Sequence, residues 1–217
     1  MSDLSRLACL SLLLALPAAA DQLEPSQLPP ERGVYVGARA SYGFPLGRFN
    51  AKPDQTFLSD SYDGSLPLQL DLGYRFNRYV RAGAYASYAL VKPSSFCVDC
   101  RASSVRYGVS AELHVTPEMS TDAWAGLSAG YEQSALLTTQ KGTEVESRYT
   151  GLELFALQGG ADYRLAPNWS LGPTLTWTFA RYSTLHARIG DGQGSESVQN
   201  RALHCWMMFG ARVQAAF

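Results

Sequence analysis

The dominant feature of this chain is an alternation of apolar and polar positions that returns eight times along the sequence. In one segment, Val105, Tyr107 and Val109 alternate with Arg106 and Gly108. A period of two places successive side chains on opposite faces of a β-strand. The eight alternating segments are residues 34–43, 66–76, 80–90, 105–115, 123–132, 155–165, 169–179 and 203–217. Each is long enough for a tilted strand that crosses a bilayer, which takes about 9–11 residues.

The connections between these segments alternate between short and long. The short ones are residues 77–78, 116–121 and 166–168, and the long, polar ones are residues 45–65, 92–104, 134–150 and 181–200. Such alternation is typical of an up-and-down barrel with turns at one end and loops at the other. We therefore predict an all-β fold, an eight-stranded antiparallel up-and-down transmembrane β-barrel over residues 33–217, with both termini on the periplasmic side. Pro173, which cannot donate a ladder hydrogen bond, predicts a bulge in the seventh strand.

The N-terminal segment has the three parts of a secretory signal peptide. Arg6 gives a thin positive region, residues 7–16 are apolar, and Ala18, Ala19 and Ala20 form a small-residue cleavage site. We predict that residues 1–20 are removed on export. Residues 21–32 contain Pro25, Pro29 and Pro30 and are predicted to form a stiff periplasmic linker.

The composition decides which face of the predicted barrel is outside. Only 17% of residues are charged, and the polar face consists mostly of Gly, Ser, Thr and Ala. Such a face suits the inside of a narrow barrel better than a surface in water, so a soluble lipocalin-like barrel with an apolar interior is the less favoured alternative. Two belts of aromatic residues near the strand ends are typical of membrane interfaces. They comprise Tyr74, Phe76, Tyr163, Trp169 and Phe217 at one end, and Tyr42, Tyr88, Tyr107, Tyr131, Trp177 and Phe179 at the other. The net charge of −1 disfavours nucleic acid as a partner.

The C-terminal strand ends at the aromatic residue Phe217. This ending resembles the signal that the barrel assembly machinery reads on bacterial outer-membrane proteins. With the export signal and the strand pattern, it makes residues 33–217 resemble the small eight-stranded outer-membrane barrel superfamily that includes the OmpA transmembrane domain, OmpX and OmpW. The resemblance implies a Gram-negative outer-membrane location, with outer-membrane lipid and the assembly machinery as partners. It implies no specific activity, because fold does not determine function.

Charged residues on the polar face form the first candidate site. We predict a lumen charge network, with Arg39 next to Asp71 and Arg81 next to Glu112 as neighbouring pairs. Its members are Arg39, Asp71, Arg81, Glu112, Asp162 and Arg212. Charges in a narrow interior must be paired or hydrated. The network is either a structural plug or the lining of a selective pore, and we favour the plug because eight strands leave room only for side chains.

Cysteines and histidines bear on cofactors and catalysis. Cys97 and Cys100 lie in the second long loop, where a local disulfide is favoured over zinc, since Cys205 and His186 lie elsewhere and no four-ligand set assembles. We therefore predict no metal and no cofactor. His204 points inward and is followed by Cys205 rather than by the His-x-Ser arrangement of lipid A deacylases.

These observations favour a non-enzymatic protein with a structural or interaction role in the cell envelope. A narrow channel for small or apolar solutes is the alternative, and a lipid-modifying enzyme built from His204 and the loop residues His186, Ser183, Ser195 and Glu196 comes third. The long loops are the predicted surface for an envelope protein or surface polymer. In the first loop, Phe49, Phe57, Leu58 and Tyr62 with Lys52, Asp54 and Asp60 form a mixed aromatic and charged patch.

Overall fold

A computed structural model describes residues 28–48, 57–95, 99–140, 143–190, 192–198 and 201–217. The predicted signal peptide, the first part of the predicted linker, and Phe49, Lys52, Asp54 and Cys97 lie outside these residues. In chain order the elements are β1 (Gly33–Gly47), α1 (Leu58–Ser61), β2 (Tyr62–Arg75), β3 (Val80–Pro93), β4 (Arg101–His114), β5 (Thr121–Gln140), β6 (Thr143–Ala166), β7 (Trp169–Ile189), β8 (Gly192–Ser197) and β9 (His204–Ala216). No helix among the described residues is long and apolar enough to cross a membrane.

Eight of the strands close into an antiparallel ring. Strands β1 to β7 pair in sequence order, and β9 then pairs with both β7 and β1. The last strand lies along the whole of β1, from Tyr35 opposite Ala216 to Gly47 opposite His204. The predicted eight-stranded barrel is thus confirmed, with short turns and the two ends of the barrel domain at one end (the turn end) and the long connections at the other (the loop end).

Two of the predicted long loops are instead mostly strand. Residues 134–150 extend β5 and β6 into a hairpin, so that Gln140 pairs with Thr143. Within residues 181–200, β7 continues to Ile189 and turns back as β8. The apolar and polar alternation fades there because both faces of this sheet lie beyond the apolar band, so a search for apolar periodicity misses the strands.

The polar face lines the interior, as the composition predicts. On β2, Leu66, Leu68 and Leu70 are all more than half exposed on the outside, whereas Asp71 and Arg75 are 2% and 3% exposed inside. The lipocalin-like alternative is therefore wrong for this chain. The outer surface of the barrel is a continuous apolar band, which a soluble barrel would have to expose to water. Aromatic residues ring both ends of this band, including the edge-to-face pair Tyr74 and Phe76 at the turn end and the stacked pair Phe155 and Phe179 at the loop end.

The strand register is irregular at several points, including three in the pairing of β6 with β7, but not at Pro173. The pairing of β6 with β7 shifts between Glu153 and Phe155. This bulge leaves Leu154 and Phe155 both exposed and turns Glu153 into the lumen, where it is buried. Around Pro173 the register of β6 with β7 is the same on both sides, and Pro173 pairs with Ala211. The predicted bulge at Pro173 is therefore wrong. The strand accommodates the missing backbone N–H donor of this proline without an extra residue.

An apolar cluster fills the lumen mouth at the loop end. The short helix α1 brings Leu58 into contact with side chains from the barrel wall, and Leu58 is fully buried. The cluster consists of Leu58, Tyr62, Ala89, Val91, Trp206 and Met208. The predicted exposed patch in the first loop is thus only partly correct, since Leu58 and Tyr62 pack inward while Phe57 and Asp60 stay exposed. Phe49, Lys52 and Asp54 of that patch lie outside the described residues.

Candidate functional site in the charged lumen

Five charged side chains near the turn end form one connected network across the lumen. Arg39 donates from Nε to Asp71 Oδ2 at 2.7 Å and from Nη2 to Glu112 Oε1 at 2.7 Å. Arg212 donates from Nη1 to the same Glu112 oxygen at 2.9 Å and holds Asp162 through two bonds of 2.8 and 2.6 Å. We call Arg39, Asp71, Glu112, Asp162 and Arg212 the turn-side network.

The turn-side network relieves a charge repulsion that follows from the strand register. Arg39 on β1 and Arg212 on β9 are direct register partners, and like charges in such positions repel. Glu112, which reaches from β4 on the other side of the lumen, accepts a hydrogen bond from both. Trp124 lies beneath the arginines, with the Arg212 guanidinium 3.6 Å from the ring centroid. Bidentate pairing and ring stacking both suit a buried guanidinium.

Arg81 lies near this network without a direct carboxylate partner. It is the register partner of Glu112, but its Nη1 donates to Gln214 Oε1 at 2.5 Å and its guanidinium lies over the Tyr35 ring at 5.5 Å. Among the described residues no carboxylate comes within 4.0 Å of Arg81. Arg81 and Glu112 are thus neighbours, as predicted, but they form no direct ion pair, because Glu112 bonds the two arginines that face it across the lumen.

A histidine extends the network toward the turn end. His114 Nδ1 lies 2.7 Å from Asp122 Oδ2, and its Nε2 lies 3.5 Å from Glu112 Oε2. All three side chains are fully or almost fully buried. The histidine faces inward at the turn end, where the sequence pattern puts it, and it is enclosed by carboxylates rather than exposed to a substrate.

A second group of charges lies nearer the loop end. His204 Nε2 is 3.1 Å from Glu132 Oε2, and Tyr182 donates to Glu132 Oε1 at 3.1 Å. Arg106 is farther from Glu132, with its Nε 3.8 Å from Oε1. We call Arg106, Glu132, Glu153 and His204 the loop-side cluster.

Glu153 is the member of the cluster that has no cationic partner within 4.0 Å among the described residues. Its Oε1 accepts a 2.7 Å hydrogen bond from the Tyr85 hydroxyl. Tyr85 reaches it from β3 over Gly130, the register partner of Glu153, where a Cβ would lie 2.7 Å from the hydroxyl oxygen. The other oxygen of Glu153, Oε2, and Arg106 Nε and Nη2 have no hydrogen-bond partner in the part of the chain that the structure describes.

The loop-side cluster was missed at the level of sequence for two different reasons. Arg106 and Glu132 stand on the polar faces of their strands and are register partners, so the same reasoning that selected Arg39 and Asp71 could have included them. Glu153 precedes the apolar run of β6 and enters the lumen only through the bulge. No periodic pattern predicts that.

The remaining predicted residues lie apart from the lumen. Cys100 is disulfide-bonded, while Cys97 lies outside the described residues, and Cys205 is free and half-buried. Among the described residues no group of three or more His, Cys, Asp and Glu side chains could hold a metal ion. Phe217 lies at the turn end with an exposed ring, and its amide donates to the Val34 carbonyl at 2.9 Å.

The fold is shared with solved outer-membrane proteins at low sequence identity. The crystal structure of Neisserial surface protein A (NspA) covers 87% of this chain and 100% of its own, with 15% identity and a TM-score of 0.54. The outer-membrane protein OprG from Pseudomonas aeruginosa covers 87% of this chain and 98% of its own, with 11% identity and a TM-score of 0.56. None of the curated proteins matches this chain.

These likenesses concern the fold alone. The sequence itself matches the family described as outer membrane protein beta-barrel domain over residues 7–204, which is most of its length. The eight-stranded ring, the outward apolar band with aromatic belts and the charged interior agree with that match. The chain belongs to the outer membrane protein beta-barrel domain family, and it is an outer-membrane β-barrel of the Gram-negative type.

Proposed function

We propose that this protein is a non-enzymatic, closed barrel that anchors the two long hairpins β5–β6 and β7–β8 at the cell surface, where they have a structural or interaction role in the envelope. In this proposal the turn end and both termini face the periplasm. An envelope protein or surface polymer is the class of partner for the hairpins. Outer-membrane lipid surrounds the barrel, and the assembly machinery inserts it.

The observation that carries the proposal is the turn-side network. Its five side chains come from β1, β2, β4, β6 and β9, so they join opposite walls of the ring. Each is at most 5% exposed. Ion pairs that are this well hydrogen-bonded and this little hydrated behave as packing rather than as a pore lining.

The hairpins supply the surface that an anchor would present. Strands β5, β6 and β7 contain 20, 24 and 21 residues, about twice the length needed to cross a bilayer. Their outer parts form a continuous sheet with β8. A sheet held by ladder hydrogen bonds is a more rigid display element than an irregular loop.

The two other functions have less support in the geometry. A narrow channel needs a continuous hydrated path, and the turn-side network lies across it. A hydrolase needs a nucleophile that is hydrogen-bonded to a histidine. Among the described residues no serine hydroxyl bonds a histidine ring, and the buried rings of His114 and His204 instead bond carboxylates, Asp122 and Glu132 respectively.

Conductance of the refolded protein in planar bilayers tests the proposal. The natural chain should show no conductance. Arg39→Ser combined with Arg212→Ser and Glu112→Ser removes the centre of the network and changes its net charge by only one, and this variant should conduct. Arg78→Ser at the turn end, whose exposed pairs lie outside the lumen, is the matched control. A natural chain that conducts selectively would replace the anchor with the channel.

Orientation is tested separately on intact cells. A cysteine that replaces Glu146, in the β5–β6 hairpin, should react with an impermeant label. A cysteine that replaces Arg78, in the turn between β2 and β3, should react only after the outer membrane is opened. The opposite labelling pattern would reverse the proposed orientation.

A further inference from the structure

We infer that the outward face of the protruding sheet binds the phosphate groups of a lipid headgroup in the leaflet that surrounds the loop end. The binding row is Arg148, His186 and Ser195. The inference rests on the proposed display of the hairpins and names a partner for them, namely a phosphorylated lipid of the same membrane.

Strand register places this row directly above the aromatic belt. At the belt, Tyr107, Tyr131, Leu152 and Arg181 are successive register partners from β4 to β7. Four residues farther along β6, Arg148 pairs with Ala135 on β5 and with His186 on β7, and His186 pairs with Ser195 on β8. Because side chains four residues apart on a strand share a face, Arg148 points outward like Leu152.

The surface at this row is concave and polar. A hollow of about 620 Å³ is lined by Arg148, His186, Arg188, Gln193, Ser195 and one carboxylate, Glu146, among others. Below the belt, the same outer face of the barrel is apolar. The change from apolar to polar therefore occurs within a few residues on each strand, as at the boundary between acyl chains and headgroups.

The donors of this row suit a phosphate group. Side chains on directly opposed residues are about 5 Å apart at their Cβ atoms, which lets Arg148 and His186 contact one anion, with the Ser195 hydroxyl adjacent. Arg148 donates from Nη2 to Glu146 Oε1 at 2.7 Å, but a guanidinium has five N–H donors, and this side chain is 45% exposed. Arginine forms forked hydrogen bonds with phosphate oxygens.

The distribution of charge along the face favours a ligand in the membrane over one in solution. Arg181 lies in the belt row itself, and Arg148 lies about 13 Å farther along its strand, or about 9 Å higher for a strand tilted by 45°. The headgroup region is about 5–8 Å thick on each side of a bilayer, so Arg148 borders it. The carboxylates of Glu146 and Glu144 lie two and four residues beyond Arg148, toward the hairpin tip, and Arg188 is the register partner of Glu146. The two arginines nearest the membrane, Arg181 and Arg148, thus precede the carboxylates of this face.

Titration of the refolded full chain in detergent micelles tests the inference, with bis-phosphorylated lipid A as the probe and the dissociation constant as the readout. Arg148→Gln should weaken binding about tenfold, which corresponds to about 1.4 kcal/mol, and Arg148→Lys should recover part of the loss. Lys92→Gln removes one exposed positive charge at the loop end on β3 and should leave binding unchanged. Dephosphorylated lipid A should bind the natural chain as weakly as bis-phosphorylated lipid A binds Arg148→Gln.

The outcomes separate the inference from its alternatives. Equal losses for Arg148→Gln and Lys92→Gln would overturn it in favour of diffuse charge attraction. Binding of a soluble acidic polysaccharide that is as tight as that of lipid A would overturn it in favour of a surface polymer. Equal affinity for phosphorylated and dephosphorylated lipid A would show that the binding row has no role. Unchanged binding by Arg148→Gln would show the same. None of these results bears on conductance, so the closed-barrel proposal stands or fails independently.

Discussion

The turn-side network and the loop-side cluster are two charged regions of one lumen, and they differ in how completely their charges are paired. In the turn-side network, Glu112 is 2.7 and 2.9 Å from two arginines, and Asp162 bonds Arg212 twice. In the loop-side cluster the one arginine is 3.8 Å from its nearest carboxylate, and Glu153 bonds a tyrosine instead of a cation. A buried charge is stabilised only when its partners are close, so the comparison predicts unequal sensitivity to loss of a carboxylate.

The difference follows from the number of arginines at each level of the barrel. The turn-side half of the lumen contains Arg39, Arg75, Arg81 and Arg212. Glu112 lies between Arg39 and Arg212, the two that are register neighbours. The loop-side half contains Arg106, with the apolar cluster around Leu58 and Trp206 closing the mouth above it. The turn-side network therefore links opposite walls of the barrel, whereas the loop-side cluster is a polar layer beneath the apolar cluster.

The largest effect is expected for Glu112→Gln. The change removes the anion that bonds both Arg39 and Arg212. Each arginine loses one charge-assisted hydrogen bond and keeps a single carboxylate, which should lower the free energy of unfolding by about 3–5 kcal/mol. Urea unfolding of the refolded protein in detergent measures it. Glu118→Gln, which breaks an exposed pair with Arg78 at 3.4 Å, is the control and should cost about 1 kcal/mol or less. A loss for Glu112→Gln no larger than the control's would mean that water screens the network.

An intermediate effect is expected for Glu132→Gln in the loop-side cluster. The amide removes the negative charge that faces Arg106 and keeps one acceptor oxygen in place of two, so the hydrogen bonds to Tyr182 and His204 are weakened, at a cost of about 1–3 kcal/mol. The same unfolding measurement applies. If this variant lost as much stability as Glu112→Gln, the distinction between the two halves of the lumen would be wrong.

Glu153→Gln should have a smaller effect, about 1 kcal/mol or less in either direction. With no cation within 4.0 Å in the described part of the chain, the charge has no close partner to lose, and the amide oxygen can still accept from the Tyr85 hydroxyl. Tyr85→Phe serves as the companion variant, since it removes the one short hydrogen bond to Glu153. A loss above about 3 kcal/mol for Glu153→Gln would reveal an essential role for its charge that the geometry does not supply.

The smallest effect on stability is expected from removal of Phe217, which belongs to neither region. Its ring is 68% exposed at the turn end, so the refolded barrel should unfold at almost the same urea concentration. In cells, by contrast, loss of the terminal aromatic residue should reduce assembly and leave exported, unfolded protein in the periplasm. Heat-modifiable barrel at the natural level would contradict a role for Phe217 as an assembly signal.

The sequence by itself determined the strands, their faces and the closed barrel. A period of two is a local property, and a side chain's face follows from its position on the strand. For that reason Arg39, Asp71, Glu112, Asp162 and Arg212 could be predicted as lumen residues, and Arg39 and Asp71, on neighbouring strands, as a pair. The choice of partner across the lumen could not be predicted in this way, because it depends on how the ring closes.

Tertiary structure alone decided the contacts that span the ring or depend on a bulge. Glu112 bonds Arg39 and Arg212 across the lumen instead of its neighbour Arg81, since closure brings β4 opposite β1 and β9. Glu153 enters the lumen because the β6 bulge shifts the face of every residue before it. The extension of β5 to β8 beyond the apolar band left no hydrophobic period to detect, because strand pairing there is maintained by backbone hydrogen bonds between polar segments.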